Sequence, residues 1–201
     1  MNADIDISNV VLIGERIILR FWNENDLDDF YEYASVDGVG QMAGWLPHKS
    51  KSDSARVLND FIQGKKTFAI VYKVNNKVIG SLGIEPYKNV DKLTEFKDYK
   101  GRELGFVLSK DYWGQGIMPE AVNLVIDYCF NILDLDFLLC GHFDYNTRSA
   151  RVQEKCGFTA YRKIYFGTHY GTQEAGILSL LSNPKKNIVY NFSHKETLII
   201  S

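Results

Sequence analysis

Cysteine is scarce in this chain. Cys129, Cys140 and Cys156 are odd in number and form no CxxC pair, which argues against a disulfide framework and against a structural zinc site. Each reads as a small buried apolar residue, the commonest setting of a free thiol. The four histidines are scattered without an HExxH pairing, so no metal is expected. An excess of one charge is missing too. The 23 Lys and Arg nearly balance the 25 Asp and Glu, and the net charge of -2 gives no electrostatic footprint for nucleic acid. No basic run marks a membrane surface, and no stretch approaches the ~18 uninterrupted apolar residues of a membrane helix. Residues 1–10 carry Asp4 and Asp6 and lack the basic start and apolar core of a signal peptide, so a cytoplasmic address is expected. The GxGxxG and GxxxxGK[ST] patterns are both absent, which sets aside the usual nucleotide-binding loops.

What remains is an ordinary globular composition, 45% hydrophobic and 24% charged over 201 residues, enough for one sizeable core. No repeat, low-complexity segment or linker divides the chain, so a single domain over residues 1–182 is expected. The tail at 183–201 holds the apolar end Leu198, Ile199 and Ile200, which suits a terminal strand or a homodimer contact.

A β-branched run at 16–21 precedes the polar stretch Asn23, Glu24, Asn25 and Asp26, a strand leading into a helix cap. Leu27, Phe30, Tyr31 and Ala34 then recur at the spacing of one buried helical face, predicting a helix over 25–35. An irregular segment at 37–50 precedes a second helix over 53–63, with Ser52 as its expected cap. Runs at 67–74 and 77–85, joined by Asn75 and Asn76, predict a hairpin. A charged connection at 88–101 leads to a strand at 102–109. Ile117, Ala121, Leu124, Val125 and Tyr128 mark a strong helix ending near Asn131. A strand at 137–143, a short helix at 149–156 closed by Gly157, and strands at 161–166 and 175–181 complete the reading. This order suggests a mixed sheet with helices packed on it.

Chemistry is concentrated where the strand at 102–109 runs through Trp113, Gly114, Gln115 and Gly116 into the strong helix. Such a turn gathers unpaired N–H groups and the positive end of a helix dipole, an anion site. Pro119 falls in the first helical turn, where a missing N–H costs least. Alone, a Gly-x-Gly turn is weak evidence and as often merely connects two elements.

Its surroundings are more specific. Glu103, Leu104, Gly105 and Phe106 on the strand, the turn with Ala121 beyond it, Asn146 and Ser149, and Lys155, Cys156, Gly157 and Phe158 occur in order. Together with Glu15 to Arg20 and Asn25, Asp26 and Leu27, they resemble the Gcn5-related N-acetyltransferase (GNAT) superfamily, within it the branch that includes the RimJ and RimL ribosomal-protein acetyltransferases. The likeness covers roughly residues 14–181. It departs from the family pattern at Met118 and Pro119, where a small residue and Thr are frequent.

The resemblance implies a mixed α/β (α+β) fold, with a mostly antiparallel sheet of about seven strands flanked by helices on both faces. It implies an enzyme that passes the acetyl group of acetyl-coenzyme A directly to a primary amine, on a protein N-terminus or a small molecule. The pantetheine arm would follow Phe106, Val107 and Leu108, with the Leu108 N–H polarising the thioester carbonyl. The pyrophosphate would rest on Trp113, Gly114, Gln115, Gly116, Ile117 and Met118; Asn146 would bond the pantetheine or order the strand end, with an Asx turn as its alternative, and Arg151, like Arg148, would face the phosphates or stand as a solvated helix charge.

An ammonium has no lone pair, so a base is needed, and Glu103 matches the family's strand glutamate; a structural carboxylate is its alternative. Ser149 matches the serine that protonates the departing thiolate in RimL-like enzymes, or else caps its helix. The tyrosine many relatives place four residues later is here Gln153, which leaves Tyr145 and Tyr161 as donors without motif support. Trp45, Pro47 and His48 would line an acceptor pocket or pack the surface. A non-catalytic acyl-coenzyme A sensor is the rival from another class, and a plain glycine turn in an unrelated binding protein is the third.

Overall fold

The computed structural model describes residues 1–88, 93–188 and 198–200, the last three by their backbone. Residues 89–92 of the charged connection and residues 189–197 and 201 of the tail lie outside the described residues. The chain divides into two units, one of residues 5–84 and 105–125, the other of residues 1–4, 85–104 and 126–201.

In the first unit, β1 (Leu12–Ile13), β2 (Ile17–Arg20), β3 (Thr67–Tyr72) and β4 (Lys77–Glu85) follow one another antiparallel. The β3–β4 hairpin closes where expected, and Asn76 takes the positive φ of 57° that its short polar side chain tolerates. Asn23 and Asp26 form a reciprocal capping box on a single 3-10 turn, Glu24–Asp26, which passes straight into α1 (Leu27–Ala34). Helix α2 (Lys51–Gly64) begins before the expected start at residue 53. Its cap is Ser50, boxed with Asp53, while the Ser52 hydroxyl lies 2.7 Å from that of Ser50. The core here joins Trp22, Phe30 and Tyr33 to Leu58, Ala69 and Val71, so both helices bury one face against β3.

In the second unit the order is β5-β6-β8-β7-β9: β5 (Gly101–Leu108, through Leu104), β6 (Phe137–Phe143), β7 (Thr159–Gly167), β8 (Gln173–Ser182) and β9 (Leu198–Ile200). β5 pairs β6 in parallel, with Glu103 opposite Leu139; β6–β8 and β8–β7 are antiparallel, and β9 adds to β7 in parallel. Helix α4 (Thr147–Lys155) lies in this unit, and α3 (Ile117–Asn131) runs through both. Tyr87, Leu93, Phe96, Phe137, Ile164 and Leu178 build its core. The fold is the mixed, mostly antiparallel one implied by the resemblance, with nine strands among the described residues where about seven were expected. The two additions are very short: β1 spans two residues, β9 three. No helix of the described residues is long and apolar enough to cross a membrane.

Candidate active site

The first unit builds the turn. β5 ends at Leu108, a 3-10 turn covers Lys110–Tyr112, and residues 113–116 lead into α3. Gly114 and Gly116 both hold φ of +76°, the left-handed region that other residues enter at a cost. Trp113 before them is extended, and the N–H groups of Gly114, Gln115 and Gly116 meet no backbone acceptor among the described residues. With the head of a 15-residue helix behind them, they fit an anionic group such as a pyrophosphate.

Side chains of the turn serve as struts. The Trp113 indole donates to the Leu108 carbonyl at 2.8 Å, tying strand end to turn, and the Gln115 amide donates to Asp111 O at 2.8 Å. Ile117 and Met118 are buried, so the turn presents backbone there rather than side chain. A residue the sequence did not single out braces it from outside. Arg16 donates through Nη1 to Gln115 O at 2.7 Å and through Nε to Glu120 at 2.8 Å, while its own backbone N–H donates to the same carboxylate. Burial opposes ionisation of Glu120, yet these hydrogen bonds hold its carboxyl below the ordinary value. Arg16→Ala is expected to weaken pyrophosphate binding at the turn about fivefold, measured by calorimetry, because it loosens the binding surface.

Phe106 and Val107 are partly exposed and Leu108 is buried. Val107 packs beside the first unit's core, and the Ser109 N–H donates to Ile79 O at 2.7 Å. Trp45 and His48 turn out to be packing residues of the same unit. Their rings lie 5.1 Å apart, His48 also meets Phe30 edge-on, and its Nδ1 pairs with the buried Ser54 hydroxyl at 2.7 Å.

The second unit holds the candidate base and acid, Glu103 and Ser149. Glu103 stands on β5 and is half-buried; burial, opposed by Lys88 and reinforced by Glu85, pushes its carboxyl up to about 7. A Cβ at Gly141 would stand 3.5 Å from the Glu103 carboxylate, an ordinary contact, but 2.3 Å from the Phe166 ring, so the bare backbone there seats the ring.

On α4, Asn146 is the buried N-cap, and its Oδ1 accepts from the Ser149 N–H at 3.1 Å. Ser149 is therefore the third residue of the helix rather than its cap, and its hydroxyl is not spent on helix initiation. Gln153 is buried at 2% exposure, donates to Gly141 O and to Ser149 Oγ, and accepts from His142. Arg151 pairs with Glu154 on an exposed helix face.

Of the tyrosines, Tyr161 receives a hydrogen bond from Arg162 at 3.1 Å, and burial raises the Tyr145 phenol to about 12. Burial likewise raises all three free thiols, Cys156 to about 11, and none is poised as a nucleophile. Thus one unit collects the turn and its braces, and the other collects Glu103, Asn146, Ser149, Arg151 and the unforeseen Gln153.

Known proteins bear on what such groups do. An uncharacterized N-acetyltransferase p20 of Bacillus licheniformis is 29% identical over 153 residues, which span 73% of this chain and 81% of that protein. A GNAT-family acetyltransferase from Bacillus anthracis shares the fold with a TM-score of 0.73 at 21% identity, covering 87% of this chain and 99% of that one. A ribosomal-protein-S5-alanine acetyltransferase from Vibrio fischeri does so with a TM-score of 0.65 at 22% identity, over 88% and 98% of the two chains. Residues 16–159 match the family described as the acetyltransferase (GNAT) domain, a span that takes in the turn, Glu103, Ser149 and Gln153. The chain therefore belongs to the GNAT acetyltransferases, a family of acyltransferases that use acetyl-coenzyme A.

Proposed function

We propose that the protein transfers the acetyl group of acetyl-coenzyme A directly to a primary amine, either a protein N-terminal α-amine or the amine of a small molecule. The observation that carries this reading is Glu103, a half-buried carboxyl raised to about 7. A base must be ionised at the working pH and still hold a proton strongly, and a value near neutrality meets both demands. An α-amine titrates near ~8, within reach of such a base, while a lysine-like amine near ~10.4 would present far less of its neutral form.

The proposed roles follow the geometry of each unit. N–H groups of the Gly114, Gln115 and Gly116 turn hold the pyrophosphate, with Ile117 and Met118 extending the same backbone. Phe106, Val107 and Leu108 offer a strand edge to the pantetheine arm, and Asn146 and Arg151 stay in the proposal as contacts made at the expense of their present partners. Glu103 takes the proton from the amine, directly or through water. Ser149 gives one to the departing sulfur. When bound, the thioester supplies the activated acetyl group.

Residues 1–182 are proposed as one acetyltransferase domain, and the strand at Leu198–Ile200 as a candidate contact between two copies. Three buried thiols suit the reducing cytoplasm. A thiol-release assay over a panel of amines and peptides tests the whole reading. Turnover with at least one class of amine is expected; cofactor binding without turnover on any acceptor would make the protein an acyl-coenzyme A sensor instead.

A further inference from the structure

Gln153 occupies the helical position where a tyrosine acid is absent, and its amide is fully committed. Gly141 O can only accept, so the nitrogen of the amide must face it, at 3.2 Å. The second hydrogen of that nitrogen points to Ser149 Oγ, 3.3 Å away and one helical turn back. The amide oxygen consequently faces His142 Nδ1 at 3.0 Å, and since that oxygen can only accept, Nδ1 must carry the hydrogen. Every partner in the chain His142–Gln153–Ser149 is thereby assigned, and Gln153 itself is buried to 2% exposure.

The consequence falls on Ser149. Its oxygen accepts from Gln153, so its own O–H hydrogen is turned away and is free to be donated elsewhere. Its backbone N–H is fixed separately by Asn146. We infer that Gln153 is a positioning residue, which orients the Ser149 hydroxyl as a proton donor and takes over by indirection the place that a tyrosine acid would fill. This rests on the role proposed above for Ser149. As the bond between amine nitrogen and acetyl carbon forms and the carbon–sulfur bond breaks, Glu103 takes the proton from nitrogen, and Ser149 gives its hydroxyl proton to sulfur. Solvent then returns a proton to Ser149 and removes one from Glu103, so the sum is amine plus thioester giving amide plus free thiol.

Four variants test this by kinetics: Gln153→Leu, Gln153→Glu, Ser149→Ala and the double variant Ser149→Ala/Gln153→Leu. Thermal melting and calorimetric binding of acetyl-coenzyme A would confirm that each is folded. Ser149→Ala is expected to lower kcat at least about tenfold, and Gln153→Leu by about five- to tenfold with the KM for acetyl-coenzyme A within about twofold. Gln153→Glu keeps the volume but offers Ser149 an acceptor instead of a donor, and should lower kcat at least as far as Gln153→Leu.

The decisive reading is the double variant, expected within about twofold of Ser149→Ala alone, because a residue that acts through Ser149 has nothing left to orient. A merely structural glutamine would add its loss in full. Full additivity, or wild-type kcat in both Gln153 variants, overturns the inference while leaving Ser149 as the donor. Wild-type kcat in Ser149→Ala overturns the donor role itself, and this inference with it.

Discussion

Glu103→Gln is expected to lower kcat/KM near pH 7.5 by at least about 100-fold, with acetyl-coenzyme A affinity within about twofold of the parent. Only the ionised carboxylate accepts a proton, and burial raises the carboxyl to about 7. In the parent, kcat/KM should therefore climb about tenfold per pH unit below that value and level off above it, apart from the amine's own titration. The variant should lose the step near 7 and keep only the amine's.

A second measurement on the same substitution needs no substrate. The native carboxyl binds its proton more tightly than the unfolded one, so between the ordinary carboxyl range and about 7 the folded state carries more protons. Stability from this group is therefore complete at the acid end and is lost as pH rises through about 7. Glutamine is neutral throughout. Glu103→Gln should melt with the parent near pH ~5 and above it near pH ~8, at about 2–4 °C per kcal/mol for a chain of this size. A variant that is slow but no more stable at alkaline pH would keep the catalytic role and discard the burial argument.

Substitution in the turn should produce the other large effect. Gly114→Val is expected to weaken acetyl-coenzyme A binding at least tenfold, about 1.4 kcal/mol, measured by calorimetry. Space is not the obstacle, since no atom lies within 4 Å of a Cβ built at Gly114. Two other costs operate. A φ of +76° imposes about 1–2 kcal/mol of strain on a residue with a Cβ, more when it is β-branched. The new side chain also stands between an incoming phosphate and the N–H groups. Gly114→Asn separates the two, because asparagine enters this conformation readily. It should melt close to the parent and still bind weakly. Normal affinity in both variants would remove the turn from the proposed cofactor site.

The sequence was legible where periodicity or a short motif speaks for itself. The β3–β4 hairpin follows from two β-rich runs around Asn75 and Asn76, and α3 from the spacing of Ile117, Ala121, Leu124, Val125 and Tyr128. β1 escaped because two residues cannot show a pattern, and Ile13 is left exposed in it. The start of α2 was misplaced because Ser50 and Ser52 are both chemically suitable caps; the reciprocal bond with Asp53 decides for Ser50, and the Ser-x-x-Asp spacing could have found it.

In the site, residue identities were readable by resemblance and their circumstances were not. The brace from Arg16 to Gln115 joins residues 99 apart in the chain, which no local pattern encodes. Gln153 was visible only as a missing tyrosine, because its role depends on β6 bringing His142 and Gly141 beneath α4. The doubt over Ser149 as helix cap resolved for the same kind of reason: three residues upstream, Asn146 already fills that post.

Two positions without a side chain decide where a large one lies. Gly141 and Gly176 stand on the paired strands β6 and β8, and a Cβ on either would strike the Phe166 ring, at 2.3 and 2.7 Å, while one at Gly176 would also meet the His142 carbonyl at 2.2 Å. A methyl group at Gly141 would have to displace the ring; at Gly176 it would have to move the backbone of β6 as well. The seat of that ring is main chain alone, so it is lost by adding atoms and not by removing them.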